Sequence, residues 1–137
     1  MPMERLSFQG LPVIPDPFRA GGYVLSGPAD GRYAKFHENF ERCGVRYYGG
    51  TVLESIDPAM ICGVGLHPHE LEHPEDFWSQ HKIGGTPESF PDPASLEPVK
   101  VLRGPGFYWF QDDGRHRVAA ARIRGARLTV RVIGRIK

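Results

Sequence analysis

Apolar and polar positions along the chain change rhythm several times, and each rhythm predicts an element. From Asp30 to Cys43, Tyr33, Phe36, His37 and Phe40 recur at helical spacing, and Gly44 is a suitable residue to end a helix. The aromatic stripe of that helix reads as core. Val99-Lys100-Val101-Leu102 and Phe107-Tyr108-Trp109-Phe110 flank Arg103-Gly104-Pro105-Gly106, which predicts a hairpin. A helix follows over about Arg115 to Arg124, closed by Gly125, and Arg127 to Ile133 alternates as a final strand. Earlier in the chain, Val13-Ile14 and Tyr23-Val24-Leu25 are short strands in a Pro/Gly-rich stretch that wraps the domain. Val45 to Ile56 reads as extended and broken at Gly49-Gly50, with Thr51-Val52-Leu53 as the strand. Residues 58–98 are dense in proline and fit only short helices, one of them starting at Pro74-Glu75-Asp76-Phe77-Trp78.

Together these elements predict an α+β fold: a small mixed sheet with the 115–124 helix packed on it. The 30–43 helix is an N-terminal addition. On this reading residues 1–49 form an extension and residues 50–137 the domain proper, within one compact unit.

Composition narrows the class. The chain has 137 residues, 40% hydrophobic and 24% charged, so it can bury a core. Thirteen prolines and 17 glycines point to long irregular connections. No apolar run approaches the roughly 18 residues of a transmembrane helix. Met1-Pro2-Met3-Glu4-Arg5 lacks the layout of a signal peptide. Cys43 and Cys62 are far apart and in no paired motif, so they read as free thiols of a reducing, cytoplasmic compartment. The net charge of +1 divides unevenly. Residues 103–137 carry nine basic and two acidic side chains, whereas residues 1–102 carry eight basic and 14 acidic ones. A basic end suggests an anionic ligand, with an arginine surface paired to the acidic part as the alternative.

The candidate site is the turn Asp113-Gly114-Arg115-His116-Arg117, where an apolar strand runs directly into a helix. Asp113 or Asp112 is a natural N-cap. Gly114 removes the side chain where backbone must approach a ligand. The N–H groups of the first turn lack partners and carry the positive end of the helix dipole, so they favour an anion. Arg115, His116 and Arg117 add donors, and arginine grips phosphate with two parallel hydrogen bonds. On the helical wheel His116, Ala119, Ala120 and Ile123 share one face, with Arg115/Arg122 and Arg117/Arg124 beside it and Val118 and Ala121 opposite. The three alanines permit close packing on a sheet. The alternative makes His116 a hydrogen-bonded histidine at a core edge and the arginines packed stems with solvated heads.

A second motif is His69-Glu70-Leu71-Glu72-His73, which satisfies the H-E-x-x-H pattern of zinc proteases. Pro68 and Pro74 bracket it, and Glu72 puts a charge where an apolar residue is usual, so a polar turn is the expectation and zinc is not. His67 is the possible third ligand, and no metal residue is assigned.

The run Asp113-Gly114-Arg115-His116-Arg117 through Gly125 resembles the DGHHR-x-x-AA-x-x-x-G signature of the ParB/sulfiredoxin superfamily. The strands before and after it fit, and Thr51 to Pro58 looks like the strand that opens the family's domain. The likeness spans about residues 50–134 and is specific over 107–133. It implies a ParB/sulfiredoxin-like fold and nucleotide binding at the turn. Members include partition proteins that bind and hydrolyse CTP, ATP-dependent sulfiredoxins, free-serine kinases and proteins described as nucleases. Arg115 stands where sulfiredoxins carry their cysteine, and Arg115-His116-Arg117 replaces the Glu-Arg-Arg core of partition proteins, whose helix-turn-helix reader is not expected in a sequence given to Lys137. The turn is closest to serine-kinase-like and stand-alone members, and Glu70 and Glu72 lie where some kinase-like members keep a catalytic acid.

The resemblance thus implies binding of ATP or CTP with Mg²⁺, and phosphoryl transfer or hydrolysis. Gly114, Arg115, His116 and Arg117 would bind the nucleotide, the arginines neutralising charge in the transition state. Asp113 and His116 would be catalytic, with Asp113 orienting a hydroxyl or holding Mg²⁺ unless it is only an N-cap. The runner-up is a nucleic-acid-binding or nuclease domain, toxin-like in type, that uses the basic end. A binding module without chemistry is the third reading.

Overall fold

The computed structural model describes residues 6–37, 44–79, 97–111 and 114–137. Its elements begin with β1 (Ser7–Phe8), β2 (Leu11–Pro15), β3 (Tyr23–Leu25) and α1 (Asp30–His37). They continue with β4 (Val45–Ile56), a 3₁₀ turn (Pro58–Met60), β5 (Ile61–Cys62) and β6 (Gly65–Leu66). Then come α2 (Pro68–Glu72), α3 (Pro74–Ser79), β7 (Val99–Gly104), β8 (Phe107–Phe110), α4 (Arg115–Arg124) and β9 (Leu128–Ile136). The fold is α+β, and no helix among the described residues is long and apolar enough to cross a membrane.

The larger sheet is mixed, in the order β4-β9-β7-β8-β5. β4 runs antiparallel to β9, β9 parallel to β7, β7 antiparallel to β8, and β8 parallel to β5. The parallel β7/β9 pair cannot be joined by a tight turn; β8 and α4 make the crossover. Pro105-Gly106 closes the hairpin where it was expected.

Both faces of this sheet are covered, and a bulge decides which residue goes where. Val101 pairs with Val132, but the next residue, Leu102, pairs with Gly134, so β9 carries Ile133 as an extra residue. One extra residue moves the following side chains to the other face. Leu128, Val130 and Val132 accordingly pack with Val118 to Ala121 of α4. Beyond the bulge, Ile136 joins Leu102, Phe107 and the α1 residues Tyr33 and Phe36. Alanines 119–121 are fully or almost fully buried, which lets α4 lie close to its neighbours. Val118 and Ala121 are buried as well as Ala119 and Ala120, so α4 is packed on both sides that the wheel separates.

The smaller sheet, β1-β2-β3-β6, is antiparallel throughout. The N-terminal strands therefore pair with a strand from the proline-rich region. Phe8, Val13 and Leu25 belong to the same core as Val99 and Val130. The expected boundary between residues 49 and 50 falls inside β4, which continues from Val45 to Ile56 with an irregular register between Tyr47 and Val52. Extension and domain thus share a strand and a core. Helix α1 is described to His37; Phe40 and Cys43 lie outside the described residues, as do Asp112 and Asp113. Cys62 is a buried free thiol. Burial, then the charge of Asp30, pushes it up to about 12, so it is inert as a nucleophile.

Candidate functional site

Helix α4 starts at Gly114, which is its N-cap with φ +108 and ψ 17 and provides no side-chain cap. The cap is therefore one residue after Asp113 and two after Asp112, the two positions expected. A Cβ at Gly114 would lie 2.9 Å from the Arg117 guanidinium and 3.0 Å from Val99. The missing side chain thus makes room for the helix's own arginine as well as permitting the positive φ.

Each of the next three side chains is tied to another segment. Arg115 forms a bidentate pair with Glu70, Nη1 to Oε1 at 2.7 Å and Nη2 to Oε2 at 2.8 Å. Its Nη1 also donates to the Gly65 carbonyl at 3.2 Å, and its guanidinium lies 4.7 Å from the centre of the Phe77 ring. One side chain so fastens α4 to β6, α2 and α3. Glu70 is fully buried, and its Oε1 also accepts the His67 backbone N–H at 2.8 Å. Burial pushes the Glu70 carboxyl up. The Arg115 hydrogen bonds, the His67 N–H and the charges of Arg115 and His67 more than offset this and hold it below its usual value.

His116 is placed differently from the expected phosphate donor. It is buried, its Nε2 lies 2.6 Å from the Phe77 carbonyl and so donates to it, and its ring packs 4.2 Å from Phe77. That is the core-edge histidine of the alternative reading. Arg117 donates to the Glu97 carbonyl. The arginine surplus of the C-terminal part is in large measure paired internally: Arg103 with Glu54, Arg122 with the Ser26 carbonyl, and Arg127 with Ser55.

The first turn of α4 borders a cleft of about 480 Å³. Arg115, Arg19 and His67 supply its cationic and imidazole groups, Tyr23, Trp109 and Phe110 its aromatic ones, and Asp16 its carboxylate. Gly114, His116 and Arg117 are not among the described residues lining it. Of the expected nucleotide-binding residues, the structure brings Arg115 to the cleft and keeps about a fifth of that side chain exposed. Arg19 and Asp16 gave no signal in the sequence, because they stand in an irregular Pro/Gly stretch that only the smaller sheet folds against α4. Tyr23, Trp109 and Phe110 were visible as strand residues, and His67 only as a possible metal ligand.

The H-E-x-x-H motif lies on the short helix α2, with His73 as its C-cap residue. Glu70 is committed to Arg115, while His73 is exposed and lies 3.4 Å from Glu75. No group of three or more His, Cys, Asp or Glu is arranged to hold a metal among the described residues. His69 is exposed, so His69→Ala is expected to leave stability within about 0.5 kcal/mol of the parent by denaturant unfolding, with or without added zinc.

Compared with known proteins, the chain matches no family model, no curated protein and no solved structure.

Proposed function

We propose that the cleft at the start of α4 binds a nucleotide, with ATP or CTP as the candidates, and that phosphoryl transfer or hydrolysis takes place there. The observation that carries this reading is that one cleft joins aromatic walls to basic groups at a helix N-terminus. The Arg115 N–H at the positive end of α4 and the Arg19 guanidinium would take the phosphates. Trp109 and Tyr23 offer faces for the base, because stacking needs no particular base. Arg115, already neutralised by Glu70, would position a phosphate oxygen and add little net charge. His116 and Arg117 would hold the turn in place without touching the ligand.

The resemblance of the Asp113–Gly125 run to the ParB/sulfiredoxin superfamily supports the same reading and suggests the same kind of fold. It also implies Mg²⁺. Asp16 is the carboxylate lining the cleft, and Mg²⁺ held by substrate phosphates needs only one or two carboxylates, so the residues fit. Asp16 would hold the ion beside the phosphates, and the ion would neutralise charge on the transferred group. The buried free thiol of Cys62 suits the reducing cytoplasm that this reading supposes.

Nucleotide at a hundredfold excess over its Kd should stabilise the fold by about 2.7 kcal/mol. Thermal unfolding with ATP, CTP and GTP, with and without Mg²⁺, measures this. Arg19→Ala should reduce the shift and leave the ligand-free melting temperature unchanged. No shift with any of the three would overturn the reading.

A further inference from the structure

A second concavity lies away from α4, at the end of the larger sheet beside α1. It has a volume of about 670 Å³ and shares no lining residue with the nucleotide cleft. Arg32 and Lys35 line it from α1, Arg103 from β7, and Arg135 and Lys137 from the end of β9. No acidic side chain lines it among the described residues. Arg103 is paired with Glu54, but Arg32, Lys35, Arg135 and Lys137 have no ion pair among the described residues. Arg32 reaches across the hairpin and donates to the Gly106 carbonyl at 3.2 Å, which holds its guanidinium at the wall of the groove.

The strand register adds an independent observation. Arg135 stands directly opposite Arg46 of β4 and beside Arg103 of β7. Directly paired strand residues share a face, about 5 Å apart from strand to strand. Three arginines therefore form a row across three adjacent strands, on the face opposite Leu102, Ile136 and α1, and Arg103 and Arg135 of this row meet the α1 cations where the groove reaches the end of the sheet. Like charges directly opposite each other destabilise a sheet, and among the described residues Arg103 alone of the three has a carboxylate partner, Glu54. On a chain of net charge +1 this row and the groove gather cations far beyond the average for its surface. Phe36, Pro105 and Ile136 add apolar surface to the lining.

We propose that this groove binds the sugar–phosphate backbone of a single-stranded nucleic acid. A cationic lining with added apolar surface fits a strand that carries one charge per nucleotide and offers flat, weakly polar faces between the charges. Guanidinium groups grip phosphate through two parallel hydrogen bonds, and three of the five lining cations are arginines. A single phosphate would engage only part of the set. The groove stands independently of the nucleotide cleft and of the reading of α4.

The test is fluorescence anisotropy of a labelled oligonucleotide of about a dozen residues, as DNA and as RNA, titrated with the whole chain. With about four cations neutralising phosphates, the affinity should fall with salt at a log–log slope near −3. Lys35→Glu with Arg135→Glu should weaken binding by about tenfold or more at low salt. Lys100→Glu, an exposed lysine outside the groove, should have a much smaller effect. Melting temperatures of all variants establish that each is folded. ATP and CTP should not displace the strand. Absence of binding at low salt would overturn the proposal, as would equal binding by the double variant or displacement by nucleotide. Tighter binding of a duplex would exclude a single strand as the ligand. Displacement by polyglutamate at lower concentration than by nucleic acid would assign the groove to an acidic protein instead.

Discussion

Arg115→Ala is expected to destabilise the protein by about 3–5 kcal/mol, the range for removing one partner of a buried ion pair. The reason lies in Glu70, not in the arginine. Glu70 is fully buried and takes two hydrogen bonds from Arg115. Without Arg115 its buried charge loses both guanidinium hydrogen bonds, and the His67 N–H at 2.8 Å does not replace the lost countercharge. The pH dependence should change as well. In the parent, the Glu70 carboxyl titrates below its usual value, so its stabilisation is complete above that usual value and is lost as pH falls through the lowered one. In Arg115→Ala, burial keeps raising the carboxyl while the Arg115 hydrogen bonds and charge that opposed it are gone and the His67 contributions remain, so the carboxyl should rise from its lowered position. The variant then regains stability relative to the parent as pH falls from neutrality, because protonation relieves the uncompensated charge.

Denaturant unfolding at several pH values measures both effects. Glu70→Gln is the companion variant. It keeps the volume and some hydrogen bonding, and it leaves the unmatched charge on Arg115, which reaches solvent through the cleft, so it should cost only about 1–2 kcal/mol. The two variants also separate structure from binding: Glu70→Gln exposes an unneutralised arginine to the cleft and should strengthen anion binding, whereas Arg115→Ala should weaken it. A pH-independent loss of less than about 1 kcal/mol in Arg115→Ala would show that the pair is not closed to water.

Much of the second half of the fold was legible because local signals agreed there. The Gly125 terminus, the alanine run and the Pro105-Gly106 turn each specify their element by backbone preference or spacing, and α4 and the hairpin follow. Other features arise only from tertiary context. The two-residue strands β5 and β6 carry no periodic signal, and they exist because β8 and β3 offer them edges. The alternation after Arg127 predicts one inward face, whereas the Ile133 bulge divides it between two cores. At the site, three adjacent donors pointed to an anion, but sequence does not reveal where their partners lie. Glu70 is 45 residues from Arg115, and its H-E-x-x-H setting pointed to a different chemistry. Helix α4 begins where the sequence put it; the division of labour among its first residues was not readable, since Arg115 alone of the described turn residues lines the cleft.

Gly63→Ala should also have a large effect, and it joins the fold to the proposed site. Gly63 follows β5 with φ +84, a conformation that costs a residue with a side chain about 1–2 kcal/mol. A Cβ there would lie 2.9 Å from the Trp109 indole and 3.1 Å from the Tyr33 hydroxyl. Neither ring is free to move far: Trp109 is stacked 5.3 Å from Phe18, and Tyr33 packs 5.8 Å from Phe107. Overpacking of this kind adds about 1–3 kcal/mol, for a total loss of about 2–5 kcal/mol. Because Gly63 and Trp109 both line the cleft, the displaced indole should also weaken nucleotide binding. A double-mutant cycle with Trp109→Leu isolates the contact. The smaller side chain removes the indole clash, so in the Trp109→Leu background Gly63→Ala should cost only the backbone strain of about 1–2 kcal/mol plus the close contact with the Tyr33 hydroxyl. The coupling energy read from denaturant unfolding would then equal the indole's part of the overpacking. Equal losses in both backgrounds would show that the indole yields without cost, and the aromatic wall of the cleft would be soft enough to reshape around a ligand.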